Sequence, residues 1–128
     1  MTYHFSKTLH TSMDEAVART TEALKSEGFG VLTEIDVQKT LKAKINVDFR
    51  PYRILGACNP GFAHQALQAE DKIGAMLPCN VVVQEHAPGQ VEVSAIDPIE
   101  SMKAIDNPAL GGVATQVRSR LQNVIARL

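Results

Sequence analysis

The chain has 128 residues, 45% of them hydrophobic and 21% charged. A chain of that size can bury roughly two-thirds of its unfolded surface in a single core without disulfide or metal staples, so one domain over residues 1–128 is expected. No segment is long and apolar enough to span a bilayer. Thirteen basic against fourteen acidic side chains, spread along the chain, leave no electrostatic footprint for the phosphate backbone of a nucleic acid.

Residues 1–7 have no apolar run behind their first basic residue, so no secretory leader is read there and a cytoplasmic location is expected. In that compartment the two cysteines, Cys58 and Cys79, are expected as thiols. Residues 3–9 alternate, with Tyr3, Phe5, Lys7 and Leu9 on one side and His4, Ser6 and Thr8 on the other; this predicts a first strand. A helix start follows. Ser12 can cap it, Glu15 completes a capping box, and Asp14 adds negative charge where amide groups are exposed. Ala16, Val17, Thr20 and Leu24 recur at helical spacing, and Gly28 stands where a left-handed C-terminal residue is wanted.

Residues 29–35 read as a second strand, and Asp36 can cap a short helix through Val37, Leu41 and Ile45, with Lys39, Lys42 and Lys44 on its wet side. After Pro51, residues 52–58 form a buried strand ended by Asn59-Pro60, a cap followed by proline at the first helical position. The helix over 61–70 turns Phe62, Ala66 and Leu67 inward. Pro78 introduces residues 79–85, the strongest β-branched run, and the turn at 87–90 returns the chain through Val91, Val93 and Ala95 as a hairpin. Asp97-Pro98 breaks it, a short connection follows, and Asn107-Pro108 opens a last helix. Its stripe of Leu110, Val113, Ala114, Val117, Leu121, Val124, Ile125 and Leu128 is expected to lie on the sheet.

This order suits an α+β domain: a mostly antiparallel sheet with helices packed on one face. Phe5, Tyr52 and Val81 to Val83 make both faces of the sheet partly apolar, which predicts a homodimer or a ligand cavity.

Cys58 precedes a predicted helix whose amide groups point back at it, a placement that favours a thiolate. Such a thiolate could attack an electrophile, hold a persulfide or bind a soft metal, and Cys79 can approach it if the two strands are neighbours. Neither belongs to a Cys-x-x-Cys unit, and a pair of small buried hydrophobes is the plain alternative. Asn59 is a cap before it is a ligand. Asn80 at the start of a valine-rich strand needs a polar partner, from a ligand or a neighbouring loop. His64 could join the thiols as a third metal ligand or as a base, against the alternative of a solvent-facing histidine. Arg53 is a candidate anion contact or one half of a salt bridge. Glu85 and Asp97 are the acids nearest the sheet's end and could serve as an acid–base pair. Gly56 allows close backbone approach, or a bulge.

The segments at 56–60 (Gly-Ala-Cys-Asn-Pro), 63–67, 77–83 (Leu-Pro-Cys-Asn-Val-Val-Val) and Asp97-Pro98, with 34–37 and 51–56, together resemble the family catalogued as domain of unknown function 302. The likeness covers nearly the whole chain. It implies a sandwich of helices on an antiparallel sheet, similar to TATA-binding-protein-like domains, and a homodimer; it supplies no reaction.

Three functional readings follow. The first is a homodimeric binding module for a small molecule or a soft metal ion, zinc or copper, with Cys58, Cys79, Asn59, Asn80 and Arg53 as ligand contacts and Cys58, Cys79 and His64 as metal ligands. The second is a thiol-dependent enzyme or persulfide carrier using Cys58, and the third is a regulatory or interaction protein without a site. Without a nucleophile elbow, P-loop or zinc-protease helix in the sequence, binding ranks ahead of catalysis.

Overall fold

Every strand is joined to its neighbours antiparallel. The computed structural model describes residues 2–128, so Met1 of the amino-terminal stretch read above lies outside the described residues. Five strands, β1 (His4–Leu9), β2 (Gly30–Asp36), β3 (Tyr52–Cys58), β4 (Cys79–Ala87) and β5 (Gln90–Ile96), form one sheet in the order β1-β5-β4-β3-β2. Between and after them run α1 (Met13–Ser26), α2 (Val37–Ile45), α3 (Pro60–Ala69), α4 (Pro98–Ser101) and α5 (Gly111–Arg127), with 3-10 turns at Ile73–Met76 and Pro108–Leu110. The expected α+β class is what the chain adopts, and no helix of the described residues is long and apolar enough to cross a membrane.

Local chemistry explains the boundaries. Ser12 Oγ accepts from the Glu15 amide at 3.1 Å and starts α1. At the other end Gly28 takes φ +85°, and the amides of Gly28 and Phe29 donate back to the carbonyls of Lys25 and Leu24. That is the left-handed closure a glycine permits. Asp36 and Asn59 cap α2 and α3 as expected, each accepting from the amide three residues on.

Two differences from expectation stand out. The segment after Asp97 is not a bare connection: Asp97 Oδ1 accepts from the Ile99 amide at 3.0 Å, and α4 forms behind it with Pro98 in its first turn. Asn107 likewise caps only the 3-10 turn, and α5 begins at Gly111.

The period of two along each strand decides where the core lies. Leu55, Ala57, Cys79, Val81, Val83, Val91, Val93 and Ala95 turn to one face and are buried against Ala16, Leu24, Val117, Leu121 and Val124 of α1 and α5. A second, smaller cluster joins Ala66 of α3 to Ile73 and Leu110. Two buried carboxylates anchor α5. Glu27 accepts from Asn123 at 2.9 Å and Arg127 at 3.2 Å on α5, and Asp97 from Arg118 at 3.1 Å.

Candidate functional site

The strand register brings the two cysteines to one place. In the β3–β4 ladder Cys79 stands opposite Ala57, the residue before Cys58. Both cysteines line one apolar cavity of ≈ 280 Å³. Its walls are Ala57 and Cys58 of β3, Pro78 and Cys79 at the entry to β4, Phe62, Ala63, Ala66 and Leu67 of α3, and Leu110 to Val117 on the carboxy-terminal side. Phe29 and Leu32 also line it, as do Pro98 of α4 and Met102 just after that helix. The cavity exists because α3 stands off the sheet. Its inward positions at 63 and 66 are alanines, too short to fill the space between β3 and α5.

The two thiols differ in setting. Cys79 is 8% exposed, and burial, helped by the neighbouring Cys58 charge, pushes its pKa from the ordinary 9.0 to about 11. Charging a sulfur inside hydrocarbon removes it from water without compensation, so Cys79 is a neutral thiol at physiological pH. Cys58 is half-buried and marks the side from which solvent reaches the pair. Neither is in a disulfide.

Asn59 also lines the cavity, but its Oδ1 is occupied by the Phe62 amide at 3.4 Å. The other residues singled out in the sequence are elsewhere. Asn80 is exposed on the opposite face of the sheet, because neighbouring residues of a strand point to opposite sides and Cys79 takes the inner one. There it borders a separate groove of ≈ 240 Å³ with Tyr3, Tyr52, Val82, Ser94 and Ile96. Arg53 reaches Asp14 at 3.2 Å and Glu34 at 3.3 Å, so its partners are carboxylates of α1 and β2. His64 is exposed. It lies about 200° around the helix from the buried Ala66, at roughly 100° per residue.

Consequently His64 does not meet the thiols, and among the described residues no group of three or more histidines, cysteines or acids is gathered where it could hold a metal ion. Cys58 and Cys79 alone could hold a soft monovalent ion in two-fold coordination, whereas a structural zinc site takes about four donors. Glu85 and Asp97 sit at opposite ends of the hairpin, opposite Val91 and just after Ile96 respectively. A strand of that length, at roughly 3.3 Å per residue, keeps them too far apart for an acid–base pair. Asp97 is instead the cap and ion-pair partner described above.

Several wall residues were invisible to the sequence reading. Pro98 opens α4 and Met102 follows its last residue, and the signal that could have found this helix is Asp97-Pro98, the same cap-and-proline start seen at Asn59-Pro60. Leu110, Val113, Ala114 and Val117 were read as sheet-facing; they also form the far wall of the cavity. Gly56 does permit close approach: a Cβ there would overlap the Thr33 hydroxyl and lie 2.8 Å from the Pro78 ring. Pro78, joined to Leu77 by a cis peptide bond, forms part of the wall beside Cys79.

Fold and cavity together define a class: a small α+β protein whose antiparallel sheet and covering helices line a thiol-bearing apolar pocket. The chain belongs to the family described as domain of unknown function DUF302, whose model matches residues 5–128. It is similar to the crystal structure of an uncharacterized conserved DUF302 protein from Bacillus stearothermophilus, with 33% identity, a TM-score of 0.90, and coverage of 99% of this chain and 98% of that one. No curated protein matches the chain.

Proposed function

We propose that this protein is a binding module that holds a small apolar molecule in the cavity beneath α3, with Cys58 and Cys79 as its chemically distinctive wall. The observation that carries this reading is the cavity itself: ≈ 280 Å³ of space faced by alkyl, aromatic and thiol groups. Ligand sites usually measure about 300–1,000 Å³; this one falls just below that range, which favours a compact ligand. Transfer of such a ligand from water is driven by burial of apolar area, about 25 cal/mol per Å². Binding is favoured over catalysis because no acid or base from the described residues stands on the cavity wall beside Cys58.

The test is binding of the apolar fluorophore 1-aminoanthracene to the native protein and to Ala63→Phe, which extends a ring into the cavity from α3. Binding to the native protein and its loss in a variant with unchanged circular dichroism is the expected result. Equal binding to both would place the dye elsewhere and refute the reading.

A second copy of the chain is the proposed partner. The face of the sheet away from α1 and α5 carries Tyr52, Val82 and Ile96 around the Asn80 groove, with Tyr3 and Ile35 largely exposed nearby. These apolar side chains, set among His4, Asn80, Gln84, Glu92 and Ser94, make a partly apolar face that favours covering by its own symmetry mate.

A further inference from the structure

We propose that hydroperoxides oxidise Cys58 and Cys79 to a reversible intramolecular disulfide, and that this bond closes the apolar cavity to its ligand. The inference rests on the cavity reading above and adds its regulation. Geometry carries it. Cys79 is paired across the ladder with Ala57, and Cys58 is the next residue along. An opposed pair about 5 Å apart and one residue step of about 3.3 Å place the two Cα atoms roughly 6 Å apart, inside the usual disulfide range of about 4.4–6.8 Å. Although consecutive strand residues ordinarily face opposite sides, Cys58 is the last residue of β3, and its side chain shares the cavity with Cys79. Both are free thiols.

The two thiols have complementary positions for the reaction. Half-exposed Cys58 is the one a dissolved oxidant meets first, and buried Cys79 waits behind it. Cys58 gives its proton to solvent and its thiolate attacks the distal oxygen of a hydroperoxide; the S–O bond forms as the O–O bond breaks. The departing alkoxide takes a proton back from solvent to leave as an alcohol (water from hydrogen peroxide), and a sulfenic acid remains on Cys58. Cys79 attacks that sulfur as its proton passes to the departing hydroxide, so the S–O bond breaks, the S–S bond forms and water leaves. Two thiols and one hydroperoxide thus give one disulfide, one alcohol and one water, with two electrons passing from sulfur to oxygen. Forming the bond draws Cys58 inward to Cys79 and takes up space the ligand would use. A small dithiol reverses it.

The experiment treats the reduced full-length protein with hydrogen peroxide. Intact mass after alkylation under denaturing conditions counts the remaining thiols, and 1-aminoanthracene is titrated into the same samples. Expected are loss of two hydrogens with no alkylation, recovery on adding dithiothreitol, and at least about tenfold weaker dye binding when oxidised. In Cys79→Ser the reaction should stop at a Cys58 sulfenic acid that dimedone traps. Two alkylatable thiols persisting, over-oxidation in place of the disulfide, or dimedone labelling of the native protein equal to that of Cys79→Ser would overturn the disulfide. A disulfide with unchanged dye affinity would overturn the gating. Failure of the dye to bind the reduced protein would sink the cavity reading itself, and the thiol count separates that case from failure of the oxidation.

Discussion

Cys79 carries a pH dependence that can be measured without knowing any ligand. Its pKa rises on folding, from the ordinary 9.0 to about 11, so the folded state holds the proton more tightly than the unfolded chain. The associated stability is fully present below pH 9 and is lost as pH rises toward 11, by about 3 kcal/mol at roughly 1.4 kcal/mol per pKa unit. Urea unfolding of the native protein should show this decline, and Cys79→Ala should flatten it while lowering stability throughout. An identical alkaline decline in both would show that Cys79 is not its source. Thr20 offers the opposite case: it is fully buried on α1 and its hydroxyl lacks a hydrogen-bond partner among the described residues. Thr20→Val keeps the shape and removes the unpaired group, and is expected to stabilise by about 1 kcal/mol in the same assay. For Gly56→Ala, the Thr33 hydroxyl and the Pro78 ring would have to move. A destabilisation of about 1–3 kcal/mol is expected from this overpacking.

Among the elements, α4 shows how a short helix is held by one side chain. The two oxygens of Asp97 have separate duties, the Ile99 amide on one and Arg118 on the other. Asp97→Asn retains the cap and weakens only the ion pair; Asp97→Ala removes both. Thermal unfolding should rank native above Asn above Ala, with the Asn-to-Ala step about 1 kcal/mol, the usual worth of a cap. Equality of the two variants would mean the cap contributes nothing. The starts of α1, α2 and α3 were legible because capping is a local transaction between a side chain and amides three residues on. α4 escaped the reading because its four residues contain too few apolar positions to reveal a helical period, although its cap and proline are the same signal that announced α3.

For the whole molecule, covering of the open sheet face by a second copy predicts a solution mass of twice 13.9 kDa by light scattering coupled to gel filtration. Val82→Lys, on that face beside Tyr52 and Ile96, should give the monomer without unfolding it, since its neighbours Val81 and Val83 hold the other side. A native protein that is monomeric at high concentration would end this proposal.

Alternation, capping and turn chemistry are short-range, so the residues alone determined the five strands, four of the five helices and the antiparallel sheet covered on one face. The pairing of Cys58 with Cys79 was readable only as a condition, that their strands be neighbours, and β3 and β4 are. Only the tertiary structure decided which groups join them. It put Asn80 on the far face, His64 in solvent and Arg53 between two carboxylates, and it brought α4 and the first turns of α5 around the space beneath α3. That space depends on how far a helix stands from a sheet, a distance set by packing among elements remote in sequence, which no local pattern of residues encodes.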